Sequence, residues 1–247
     1  MSSSNKIAYH ARSISLPTRS NPLVAAVEAQ LCKLRSSDLT SSISSNLVAL
    51  KDLYECVEDF LSTEDAKCLD AVLDRSVMLL DVCATIKDVL SMMKQSSQDL
   101  QSSIRRRSNE FDAYMSSRKK VCKVIQKCLS DLKKNTNKNN DLVADVLTEV
   151  EATTLAVFES VLSFLSAPKQ SNWSLVSKLT TKSATQQAVS EVTKVDLALK
   201  SKAIEAKEVQ MALASLEMNL QELEDGTESV FRCLIKNRVS LLNILNQ

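Results

Sequence analysis

The chain has 247 residues, with 31 Lys and Arg against 30 Asp and Glu, 44% hydrophobic and 4% aromatic residues, one glycine (Gly226) and three prolines (Pro17, Pro22, Pro168). Phosphate-cradling loops and dinucleotide fingerprints need the backbone freedom of glycine, so a single glycine excludes those classes of chemistry. With so few helix breakers after Asn21, the composition predicts an all-α chain, an elongated multi-helix bundle whose scarce aromatics leave the core to Leu, Val, Ile and Ala.

Residues 1–20 are serine-rich and basic, with Lys6, Arg12 and Arg19 and no acid before Glu28. They are expected to form a tail outside the core. Their bias weakly resembles an organelle transit peptide; no secretory apolar region is present, and Ser2 stands where myristoylation would need glycine. Within the tail, Arg12, Ser13, Ile14, Ser15, Leu16 and Pro17 read R-S-x-S-x-P, which looks like the phosphoserine motif recognised by 14-3-3 proteins. Arg12 suits a basophilic kinase acting on Ser15, the phosphate supplies charge for an arginine cluster to grip, and Pro17 turns the chain out of a groove. The alternative is a basic tail that packs on the bundle or stays free. Arg106, Arg107 and Ser108 make a second kinase-like site, in a region expected to be helical.

From residue 21 to 247 a single helical domain is expected. Asn21 and Pro22 form a helix start, followed by the stripe Leu23, Val27, Leu31, Leu34. After the serine-rich break at 36–45, a second helix shows Leu47, Leu50, Tyr54, Val57 and Leu61 at three- and four-residue spacing. Thr63, followed by Glu64 and Asp65, is the expected N-cap of a third helix through 72–90. Further helices are expected over 97–134 and 141–166, separated by the polar run 135–140 and ended by Pro168. The longest apolar run, 155–165, is interrupted by Glu159 and Ser160 and falls short of the roughly 20 residues needed to span a membrane.

The last third carries the strongest pattern. Val192, Leu199, Ala206, Leu213, Leu220, Thr227, Leu234 and Leu241 recur as a positions, and Val195, Val209, Leu216, Leu223, Val230 and Ile244 as d positions, with Lys202 and Asn237 as exceptions. The register passes through Gly226 unshifted, so the glycine reads as a site of close helix approach rather than a stop. One continuous helix over this register would be on the order of 80 Å long. Its stripe needs a partner along that length: the preceding helices of the same chain, or a second copy in a homo-oligomer. Arg238 lies beside the stripe and should find a carboxylate or carbonyl if buried.

Charge is uneven. Between residues 105 and 138 stand eleven basic residues and three acids, whereas 141–230 holds fourteen acids and seven lysines. Arg105, Arg106 and Arg107, with Lys119, Lys123 and Lys127 spaced by four on a helix whose other face is Val121, Val124, Ile125, Cys128 and Leu132, are candidates for contact with an anionic membrane surface or acidic partner. The alternative is a solvated face balanced by the acidic half. Nucleic acid is not expected, since few aromatics are available for stacking and no binding motif occurs.

Seven cysteines without any CxxC argue for a reducing compartment. Cys56, Cys83 and Cys128 fall at helical spacing beside apolar residues and read as small core side chains; a metal site would need His10, the sole histidine, from the tail. No cofactor, metal or catalytic set converges, so no enzymatic activity is expected.

The segments HARSISLPTRSNP (10–22), LLDVCATIKDVLSMMK (79–94), Arg105 to Arg107, YMSSRKKVCKVIQKCLSDLKK (114–134) and FRCLIKNRVSLLNIL (231–245) together resemble the plant family of BYPASS-related proteins. The resemblance covers nearly the whole chain. It implies a plant-specific helical protein associated with root and shoot development, without an established enzymatic activity or cofactor. The expectation is therefore a regulatory or scaffold protein, cytoplasmic, acting through a phosphorylatable tail, with a peripheral membrane module as the alternative.

Overall fold

Helical spacing of apolar residues, unbroken by glycine or proline, is what the chain turns into structure. A computed structural model describes residues 22–37, 42–62, 69–106, 111–136, 145–166, 191–200 and 206–246. They form α1 (Pro22–Ser37), α2 (Ile43–Leu61), α3 (Asp70–Arg105), α4 (Phe111–Thr136), α5 (Asp145–Leu165), α6 (Glu191–Lys200) and α7 (Ala206–Leu245), with no strand among the described residues. None of these helices is long and apolar enough to cross a membrane.

Local signals explain several boundaries. Pro22 opens α1, where its missing N–H costs nothing. Ser42 caps α2, its hydroxyl accepting the Ser45 N–H at 3.2 Å. The third helix departs from expectation at both ends. Thr63 lies outside the described residues, and the N-cap position before Asp70 is Leu69, which makes no side-chain cap bond. No break occurs before residue 97: α3 runs 36 residues to Arg105, because its serines fit a helix when their hydroxyls bond the preceding turn, as Ser96 does to the Met93 carbonyl at 3.0 Å.

α2, α3, α5 and α7 surround the core. α7 runs parallel to α2, placing Gly226 against Leu47 and the Asn237 amide 3.1 Å from the Tyr54 carbonyl. It runs antiparallel to α3, with Gln101 bonded to Glu217, Lys94 to Glu224 and Arg238 to the Leu73 carbonyl. α5 is tied to α2 by Tyr54 and Thr154 and to α3 by Arg75 and Glu151. α1 packs on α2 and α5, α4 on α3 and α5, and α6 on α7. Val27, Leu31 and Leu34, then Leu47, Leu50, Tyr54, Val57 and Leu61, are buried as their spacing predicts.

The heptad stripe is consumed inside the chain. Val209, Leu213, Leu216, Leu220, Leu223, Thr227, Val230, Leu234, Asn237 and Leu241 are all buried, and α7 passes through Gly226 without a break. The expected single helix of about 80 Å is corrected, however. Residues 191–200 form a separate α6 packed against α7, and α7 alone has 40 residues, about 60 Å. The register continues across both helices because both bury an apolar stripe, which spacing alone cannot distinguish from one rod.

Candidate functional site

At one end of the four-helix core, α2, α3, α5 and α7 enclose a cavity of about 50 Å³. Its wall is mostly apolar, from Val57, Leu61, Val72, Leu79, Leu147, Val150, Leu234 and Leu241, with Arg75, Glu151, Ser76, Asn237 and Arg238 as its polar edge. Arg75 Nε stands 3.0 Å from Glu151 Oε2, both side chains mostly buried. Burial pushes the Glu151 carboxyl above its usual pKa, and the Arg75 charge opposes that rise. Arg238 Nη1 donates to the Leu73 carbonyl at 2.8 Å and to Ser76 Oγ at 2.7 Å, so it finds the carbonyl its position called for. Beside the cavity, Thr154 donates to the Val150 carbonyl at 2.7 Å, which leaves its oxygen to accept the Tyr54 hydroxyl at 2.9 Å.

A second polar cluster lies deep between α3, α4, α5 and α6. Arg118, 3% exposed, donates from Nε and Nη2 to the Asp196 carboxylate at 3.3 Å and from Nη1 to the Leu165 carbonyl at 3.0 Å. Tyr114 adds its hydroxyl to Asp196 at 3.2 Å. Burial raises the Tyr114 pKa, and the neighbouring Asp196 charge raises it further. One arginine thereby fastens α6 to α4 and satisfies a carbonyl at the end of α5. Arg118 is one of the eleven basic residues counted between 105 and 138, but it lies in the core; its place on the Tyr114, Val121, Ile125 stripe was the available signal.

The candidate surface cations are dispersed. Lys119, Lys123 and Lys127 are exposed along α4, joined by exposed Lys120, and no carboxylate pairs with any of the four among the described residues. Val124, expected on the buried stripe, is 37% exposed and stands within this face. Arg105 and Arg106 are exposed at the end of α3, and Arg107 lies outside the described residues. So does the tail motif of Arg12, Ser13, Ser15 and Pro17.

Cys83 is fully buried, its thiol 3.8 Å from the Thr227 carbonyl, and burial pushes its pKa up to about 12. Cys56 and Cys128 are only half-buried, at the margin of the core. The cysteines of the described residues are free thiols, and no group of His, Cys, Asp and Glu there is arranged to hold a metal. Sequence reasoning missed Arg75, Glu151 and Asp196, whose partners are distant along the chain.

A family model described as "Protein BPS1" matches residues 46–244. That span contains every described helix after α1 except the first few residues of α2 and the last of α7. No curated protein and no solved structure matches the chain.

Proposed function

The chain belongs to the BPS1 family, a plant family whose membership associates it with development, and from that premise we propose that it is a non-enzymatic regulatory or scaffold protein. Its helical body carries a tail in which phosphorylated Ser15, framed by Arg12, Ser13 and Pro17, recruits a 14-3-3 protein in the cytoplasm. The observation that supports this reading is the fate of α7. Its apolar register is covered by α2 and α3 of the same chain, which supports reading the bundle as a self-contained carrier of the tail. A homo-oligomer through this helix would have to use its outer face, where Ile235, Val239 and Leu242 remain exposed. Affinity purification from plant tissue, with and without phosphatase, tests the proposal: the partners should be lost on dephosphorylation, and an unchanged set would contradict it.

A second reading rests on the unpaired Lys119, Lys120, Lys123 and Lys127 with Val124 among them. Such a face suits reversible contact with an anionic lipid surface.

A further inference from the structure

Three arginines among the described residues are buried or half-buried: Arg75, Arg118 and Arg238. The first two hold carboxylates, Glu151 and Asp196. Arg238 does not. It bonds only the neutral Leu73 carbonyl and Ser76 hydroxyl, both through Nη1, and no carboxylate of the described residues pairs with it. Its Nε and Nη2 hydrogens take no acceptor there, although the residue lines the apolar end cavity. That free edge is reached by solvent and not sealed in the core, so it is open to an incoming acceptor, and its fork geometry fits a carboxylate.

The cavity's other charges offset one another: Arg75 and Glu151 stand 3.0 Å apart as an ion pair, so the net charge of the polar edge is that of Arg238. Arg75 Nε and Asn237 Oδ1 are buried there without a hydrogen-bond partner. We infer that the end cavity between α2, α3, α5 and α7 is a binding site for a small apolar monocarboxylate, with Arg238 gripping the carboxylate and Val72, Leu79, Val150 and Leu241 covering its carbon chain. Size limits the ligand. A cavity of about 50 Å³ compares with roughly 10–15 Å³ for one water on the same scale, so it takes a short chain of a few carbons. This site is independent of the tail and of Ser15.

The test uses the full chain and sodium butyrate as the probe, with butan-1-ol, sodium chloride and inorganic phosphate at matched ionic strength. Butyrate should raise the thermal midpoint in a saturable way and shift the Arg238 Nε–Hε resonance. Arg238→Gln should weaken the response by about tenfold or more, the loss of a charge-assisted pair. Val72→Phe, which fills the cavity while leaving Arg238 and its backbone bond in place, should abolish it and keeps the test decisive if Arg238→Gln does not fold. An equal response to chloride or phosphate would mean an adventitious ion only, and an equal response to butan-1-ol would mean that the cavity does not read charge. Either result, or unchanged butyrate binding in Val72→Phe, overturns the inference.

Discussion

Gly226 of α7 faces Leu47 of α2 so closely that a Cβ on the glycine would stand 3.0 Å from both Leu47 Cβ and Cδ1. Leu47 Cβ is fixed by its own backbone, so a methyl group there must push two helices apart, beyond what a rotamer change can relieve. Alanine gains about 1 kcal/mol of helix propensity over glycine, against about 1–3 kcal/mol for overpacking. Gly226→Ala is therefore expected to destabilise the protein by about 1 kcal/mol in urea unfolding. In a Leu47→Gly background, which removes both contacting atoms, the same change should become neutral or stabilising. Equal effects in the two backgrounds would show that this contact is not what requires glycine.

Arg118 and Asp196 form a buried pair whose halves should be unequal to their sum. Asp196→Ala leaves the guanidinium uncompensated and is expected to cost about 3–5 kcal/mol of unfolding free energy. Adding Arg118→Met should recover most of that loss. Urea denaturation of the single and double variants measures it; a loss below about 1 kcal/mol for Asp196→Ala would mean that the pair does not hold α6.

The helices were legible in the sequence because three- and four-residue spacing survives in one dimension. Leu47, Leu50, Tyr54, Val57 and Leu61 are buried together, and the unshifted register identified Gly226 as a close approach. Boundaries at serines were not legible, since Ser96 and Ser97 look like a linker until their burial in a long helix is seen. The register from Val192 to Val209 looked continuous because α6 and α7 each bury one face. Arg118 counted only toward the basic excess of residues 105–138, although its position on the stripe of α4 already pointed to burial. The end cavity was invisible for a different reason: Arg75, Glu151 and Arg238 meet only through tertiary packing.

Stability should fall on the alkaline side. Burial pushes the Cys83 thiol from an ordinary 9.0 up to about 12, and raises the Tyr54 and Tyr114 phenols as well. Groups that ionise more readily in the unfolded chain draw the equilibrium toward it, so their contribution is intact below the unfolded pKa and is lost as pH rises through the folded one. Urea titrations at increasing pH should show the decline begin near 9.0 and continue toward about 12, with a shallower slope for Cys83→Ala. An unaltered slope in that variant would remove Cys83 from the account.

If α4 meets membranes, binding must depend on charge. Vesicles containing anionic lipid should retain the protein at low salt and release it as ionic strength rises, because exposed lysines act through a screened field. Replacing Lys119, Lys123 and Lys127 with glutamine should abolish retention. Equal binding to neutral vesicles, or no effect of the three substitutions, would end the membrane reading.

Under the proposed function, a phosphate on Ser15 converts the tail into a docking segment. The most direct measurement is calorimetric titration of a 14-3-3 protein with the full chain, phosphorylated at Ser15 or unmodified, together with Ser15→Asp. Phosphate offers nearly two charges and three acceptor oxygens, whereas aspartate offers one charge in a different geometry. Tight binding is expected of the phosphorylated chain alone, with Ser15→Asp close to the unmodified protein. Indistinguishable binding of the phosphorylated and unmodified chains would contradict it.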